Sequence, residues 1–192
     1  KQADDRTFAR RVWLDLVGTL PPVDELEAFV GNRAPNKRAQ LVNRLLADKQ
    51  AYAEHWLTFW SDMLRNAYRG TGFIDGGRKQ ITQWLYGALH SNMPYDQFVR
   101  EHLAGDLLPE PRLNLADGLN ESVIGTAHYR LVEHGYQPVD PWEDRVKWAD
   151  NQVDVVSKTF MGLTVSCARC HDHKFDAISQ RDYYSLFGTL YG

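Results

Sequence analysis

The sequence predicts an all-α protein, arranged as an irregular array of several helices. Apolar residues recur at helical spacing in most segments, and no segment alternates apolar and polar residues convincingly enough to indicate a sheet. Glycines, prolines and capping residues separate these segments, as expected at helix ends. With 192 residues, 43% of them hydrophobic, the chain can enclose a real core. We therefore expect a single helical domain over residues 1–192.

The first half of the chain is predicted to form five helices. They are indicated by Phe8, Val12, Trp13 and Leu16; by Asp24–Val30; by Leu41, Leu45 and Leu46; by the aromatic stretch Ala51–Asn66; and by Ile81, Trp84, Leu85 and Leu89. Gly18 is predicted to end the first helix, Asn36 to cap the third, and the fifth should end near Pro94. A flexible loop before the fifth helix is predicted from Gly70, Gly72, Gly76 and Gly77.

The second half is predicted to form four more helices. The first covers Tyr95–Leu103, and the second opens at Asn120 and ends at Gly135. A long helix starts at Asp140-Pro141 and is stopped by Gly162. The last, Ser179–Leu190, is amphipathic and is capped by Ser179.

Composition excludes several classes of protein. The 22 Lys and Arg nearly balance the 25 Asp and Glu, so the net charge of −3 lacks the positive field of a general nucleic-acid binder. No apolar run approaches the roughly 20 residues that a membrane-spanning helix needs. The chain has 2 cysteines, and they lie within four positions of each other. A disulfide framework is therefore excluded, because one bond that closes so short a loop would add little to the fold. Those cysteines must serve some local chemistry.

Both cysteines belong to one motif, Cys167-Ala168-Arg169-Cys170-His171. This C-x-x-C-H pattern is typical of covalent haem c attachment, in which the two thiols add to the two haem vinyl groups. The histidine next in sequence is then available as the proximal iron ligand. The motif predicts one haem c, bound through Cys167 and Cys170 and ligated by His171. Arg169, Lys174 and Arg181 are candidates to pair with the haem propionates.

Three other interpretations of the motif stay open. A zinc site would use the cysteines with His171 or His173, but the second ligand pair usual for structural zinc is missing from the sequence. A thioredoxin-like pair would need a strand before the motif, where the pattern is helical. The pair could also be a structural dithiol without a cofactor.

The sequence around the motif resembles a known family. The stretches that carry the resemblance are Phe160–Asp176, Ile178–Tyr184, Arg11–Leu16 with Gly18–Pro21, His55–Leu57, Pro94–Glu101 and Leu103–Asp106. Together they are similar to the planctomycete-type cytochrome c domain family, second PSCyt type, which is catalogued as a domain of unknown function. The resemblance spans nearly the whole chain, with one departure at Ala177, where we expect the family to carry proline.

The resemblance implies an exported, periplasmic or otherwise extracytoplasmic protein of planctomycetes or verrucomicrobia. It also implies that this chain is one domain excised from a longer protein, and that a fused C-terminal domain or a separate redox protein is its partner. We expect an electron-transfer module. A haem enzyme with an open or exchangeable sixth iron site is the alternative, and a zinc-stabilised interaction module without haem is the second alternative.

The second axial ligand decides between electron transfer and catalysis, since a saturated iron favours the former. The candidates are His55, His90, His102, His128, His134, His173, Met63, Met93 and Met161. His55 is our first choice, because it lies among aromatic residues within the family-like His-Trp-Leu stretch. His128, on an apolar helix face, is second. His173 is too close to His171 to reach the other haem face.

Overall fold

The computed structural model describes residues 2–66, 75–131 and 139–191, with the backbone alone at residues 75–77. The all-α prediction is confirmed, because the described residues are mostly helical and their strands form one short hairpin. The helices are α1 (Asp5–Val17), α2 (Val23–Gly31), α3 (Lys37–Ala47), α4 (Lys49–Met63), α5 (Asp75–His90), α6 (Tyr95–Ala104), α7 (Glu121–Gly125), α8 (Pro141–Val156) and α9 (Gln180–Tyr191). Every helix in the described ranges is too short or too polar to cross a bilayer.

The chain divides into two compact units. The first unit consists of Lys1–Phe59 and Tyr86–Met93, and the second consists of Trp60–Leu85 and Pro94–Gly192. Helices α4 and α5 therefore contribute residues to both units. The C-x-x-C-H motif belongs entirely to the second unit.

The first unit is organised around the apolar face of α1. Ala9, Trp13 and Val17 of α1 are buried with Phe29 of α2 and Leu41 of α3. The spacing of the α1 residues is the helical periodicity that predicted this segment. Gly18 ends α1 as predicted: its φ of 72° is left-handed, and its N–H donates to carbonyls of the last turn.

Asn36 lies at the start of α3, where the sequence predicted a cap. Its side chain makes no capping hydrogen bond, so only the position was predicted correctly. The start of α3 is tied to α1 by charge instead. Lys37 and Arg38 both pair with Asp5, at 2.6 and 2.8 Å, and these two cations hold the pKa of the Asp5 carboxyl below its usual value.

The prediction of no strand is wrong at one place in the second unit. Strands β1 (Leu113–Asn114) and β2 (Leu119–Asn120) form an antiparallel hairpin. Asn120 then opens α7 as predicted, since its side-chain oxygen accepts the N–H of Val123 at 3.2 Å. After α7 the chain tightens into a 3-10 helix over Thr126–Arg130.

The long helix α8 starts where the sequence predicted, but it ends at Val156, before the predicted stop at Gly162. The Asp140 carboxylate accepts the N–H groups of Trp142 and Glu143 and so caps the N-terminus of the helix, whose first residue is Pro141. Beyond α8 the chain continues as a π-helical turn, Ser157–Met161. Gly162, with a φ of 66°, ends that turn.

Helix α9 begins with a reciprocal cap at Ser179, as predicted. The Ser179 N–H and hydroxyl donate to the Asp182 carboxylate, and the Asp182 N–H donates back to the Ser179 oxygen at 3.2 Å. These bonds from Ser179 keep the pKa of Asp182 below its usual value.

The predicted glycine loop before α5 is partly wrong. Gly76 and Gly77 lie in the first turn of α5 rather than in a loop. Gly70 and Gly72 lie outside the described residues, as do the predicted helix end at Gly135 and the candidate ligand His134.

Candidate functional site

The motif begins on a short 3-10 helix, Val165–Arg169, that is anchored in the core of the second unit, and Cys170 and His171 follow the end of this helix. Val165 and Ala168 are buried with Val153 of α8 and Tyr183 of α9. Cys167 and Cys170 are both free and both exposed. The apolar residues thus fix the backbone of the segment, while its thiols stay accessible to a reactant.

Arg169, which lies between the two cysteines, forms hydrogen bonds with residues of α8 and α9. Its guanidinium lies 2.6 Å from the Asp150 carboxylate of α8, and its carbonyl accepts the side-chain N–H of Gln180 at 3.0 Å. The hydroxyl of Tyr183 donates to the same Asp150 at 2.5 Å. Burial and the Asp150 charge raise the pKa of Tyr183. The arginine that we predicted to meet a haem propionate is therefore also an anchor of the motif.

We expect Asp150→Ala to destabilise the second unit by about 2 kcal/mol, because it removes an ion pair and leaves the buried Tyr183 hydroxyl unpaired. Chemical denaturation measures the change. Adding Tyr183→Phe should recover part of the loss, since no hydroxyl is then left unsatisfied. Glu143→Ala removes an exposed carboxylate of the same helix that pairs with Lys147; it is the matched control and should cost below about 0.5 kcal/mol. Equal losses in Asp150→Ala and the control would contradict the anchoring role.

His171 is exposed and keeps one ring nitrogen available. Its Nδ1 lies 2.7 Å from the carbonyl oxygen of Asp172. A carbonyl only accepts, so Nδ1 carries the proton and Nε2 carries the lone pair. Metal-ligating histidines usually have this arrangement, because the carbonyl fixes both the tautomer and the orientation of the ring.

His173, by contrast, has both ring nitrogens engaged. Its Nδ1 accepts the backbone N–H of Asp176 at 2.9 Å, and its Nε2 lies 2.9 Å from the hydroxyl of Thr164. The Asp176 carboxylate is 3.3 Å from Nδ1. A nitrogen that accepts a backbone N–H holds no proton of its own, so we interpret this as a contact between a carboxylate and a neutral ring rather than an ion pair. His173 thus orders the loop after the motif and has no lone pair for a metal.

The first-choice distal ligand, His55, belongs to the first unit. Its ring packs on the backbone of Gly18, where an added Cβ would lie 2.1 Å from Nδ1. The ring centres of Trp56 and Phe59 are 5.5 and 5.1 Å away. This packing gives His55 a structural role at the end of α1, and its role as an iron ligand stays a prediction.

Two other candidates, His102 and His128, are buried in the second unit. Nδ1–H of His102 donates to the carbonyl of Phe98, one turn earlier in α6, at 2.8 Å. Nε2–H of His128 donates to the carbonyl of His102 at 3.0 Å. Burial lowers the pKa of His102 to about 3 and that of His128 to about 4. Both rings are consequently neutral at physiological pH.

Sequence reasoning gave no preference to His102. The available signal was its i,i+4 spacing from Phe98 within α6, which places the two side chains on one helix face. The aromatic surroundings come from distant segments, which periodicity does not reveal.

Three further candidate iron ligands, His90, Met63 and Met161, are exposed. His90, in the first unit, stacks on Tyr86 with a centroid distance of 5.7 Å. Among the described residues, no three His, Cys, Asp or Glu side chains lie close enough together to hold a metal ion. These residues therefore contain no preformed zinc site with three or more such ligands.

A family model, PSCyt2, described as a protein of unknown function (DUF1549), matches residues 1–192. No curated protein and no solved structure matches the chain.

Proposed function

The chain belongs to the PSCyt2 family, and from this membership and its C-x-x-C-H segment we propose that it is an exported monohaem c-type cytochrome domain that transfers single electrons. The observation that carries the proposal is the combination of two free, exposed thiols with a histidine whose Nε2 lone pair is available. This donor set fits haem c, which requires two thiols and one imidazole in this order.

The residues of the motif have distinct roles in this proposal. The thiols of Cys167 and Cys170 would each add across one vinyl double bond, so that the sulfur forms a thioether and its hydrogen goes to the neighbouring vinyl carbon. His171 would bind the iron through Nε2, since the Asp172 carbonyl holds its Nδ1–H. When bound, haem supplies an iron that accepts and releases one electron at a time.

The buried part of the segment supports the same role. Val165 and Ala168 fix the 3-10 helix in the core, and Asp150 holds Arg169. A rigid anchor keeps the ligand geometry similar in both oxidation states, and an electron-transfer site benefits from little reorganisation. We propose an extracytoplasmic location, where thioether formation takes place, and a redox protein or fused C-terminal domain as the partner.

The experiment that tests electron transfer uses protein purified from a host with a cytochrome c maturation system. A redox titration followed by visible spectroscopy should fit a reversible one-electron transition. Carbon monoxide should leave the spectrum of the reduced protein unchanged, because the iron of an electron-transfer haem would have both axial positions filled. A reduced spectrum that carbon monoxide alters would contradict the electron-transfer proposal and favour a haem enzyme with an exchangeable sixth site.

A further inference from the structure

An unpartnered nitrogen lies at the centre of the second unit. Nε2 of His102 is buried and has no hydrogen-bond partner among the described residues, and the whole side chain is 0% exposed. Because Nδ1–H is already donated to Phe98, Nε2 carries a lone pair. A buried polar atom without a partner is rare in native proteins and calls for an explanation such as an unseen ligand.

The surroundings of this nitrogen are aromatic. The Phe and Trp ring centres around that of His102 include Phe98 at 4.2 Å, Trp84 at 4.8 Å, Phe160 at 5.5 Å and Trp60 at 6.2 Å. These four rings form what we call the aromatic cluster. Flat apolar side chains of this kind suit the contacts of a porphyrin.

Phe160 connects the aromatic cluster to the motif along the chain. It lies in the π-helical turn Ser157–Met161, seven residues before Cys167. Single π-helical turns are rare and occur frequently at functional sites. Since the aromatic cluster encloses Nε2, a ligand reaches this nitrogen only if the rings separate.

From these observations we infer that His102 is the second axial ligand of the haem iron, which rests on the proposed haem attachment at Cys167, Cys170 and His171. The imidazole has the properties that this role requires. Its Nδ1–H is held by a backbone carbonyl, which fixes the tautomer with Nε2 as the donor atom.

His128 bonds to the backbone of His102 and is not itself assigned as the iron ligand. Its Nε2–H is donated to the His102 carbonyl, which leaves this nitrogen without a lone pair for iron. Of these two buried histidines, His128 therefore donates its Nε2–H to backbone, whereas the Nε2 of His102 is unused.

The test compares His102→Phe and His55→Phe in haem-loaded protein from a host with a cytochrome c maturation system. His102→Phe should convert the low-spin, six-coordinate spectrum to a high-spin one and allow carbon monoxide to bind the reduced form. His55→Phe should keep the low-spin spectrum. A His102→Phe protein that retains covalent haem and an unchanged low-spin spectrum would overturn the inference, as would a change of spin state in His55→Phe alone.

A second variant separates ligation from folding. His102→Met replaces the imidazole with a flexible thioether that also binds haem iron, so it should remain low-spin while its midpoint potential rises. An unchanged midpoint potential would overturn the assignment. Wild-type protein without covalent haem would overturn the proposed function itself, whereas a haem-loaded His102→Phe protein with a wild-type spectrum would overturn only the ligand.

Discussion

Replacing both Cys167 and Cys170 with alanine is expected to abolish covalent haem attachment, because each thioether needs one of these sulfurs and the chain has no other cysteine. After a denaturing gel, the double variant should show no haem-linked peroxidase stain, whereas wild-type protein should stain strongly. Each single variant should keep one thioether and show a shifted pyridine haemochrome band. Staining of the double variant at the wild-type level would contradict the attachment site.

The matched control for the cysteine variants is Ser185→Ala. Ser185 is an exposed residue of α9, and its hydroxyl donates to the Arg181 carbonyl one turn earlier at 2.9 Å. We expect wild-type staining in this control. His171→Ala should retain thioethers but lose the proximal ligand, so an unchanged visible spectrum in His171→Ala would also contradict the assignment.

The second large effect concerns acid stability of the haem-free chain. We expect the free energy of unfolding of the second unit to fall as the pH decreases from about 6.5 to about 4. Burial lowers the pKa of His102 to about 3 and that of His128 to about 4, from an ordinary value of 6.5. In this range the unfolded state binds more protons than the folded state, so stability is complete above pH 6.5 and is lost on acidification. With two such groups the slope approaches ~2.7 kcal/mol per pH unit.

Hydrogen exchange of the α6 amides, corrected for the intrinsic pH dependence of exchange, reports this loss within the second unit. His102→Phe should roughly halve the slope, because one of the two titrating rings is removed. His90→Gln, which changes an exposed histidine of the first unit, should leave the slope unchanged. A flat profile of protection between pH 7 and pH 5 would show that the two rings are not buried in their neutral form.

Much of the helical fold follows from local signals in the sequence. Gly18 determines the C-terminus of α1, and Asp140 and Ser179 determine the N-termini of α8 and α9. The conformations and hydrogen bonds of these residues are local properties of the chain. The β1–β2 hairpin was missed because strands of two residues are too short to establish an alternating pattern. Gly76 and Gly77 were assigned to a loop from composition, yet they lie within α5.

The candidate site likewise has one part that the sequence predicts and one part that it does not. The motif is a contiguous pattern, so its residues could be named from the sequence alone. The partners of its side chains could not: Asp150 meets Arg169 across 19 positions, and Phe160 meets His102 across 58. The engagement of both His173 nitrogens depends on a loop conformation that has no signature in residue types. Long-range packing therefore determines which histidines remain available.

The central claim is that this chain carries one haem, covalently bound at Cys167 and Cys170. It is tested most directly by the intact mass of wild-type protein, denatured after purification from a host with a cytochrome c maturation system. We predict a single species heavier than the polypeptide by the mass of one haem, with the added mass confined to the proteolytic peptide that contains residues 167–171. A polypeptide of unmodified mass from this host, while a known c-type cytochrome produced beside it carries haem, would contradict the account.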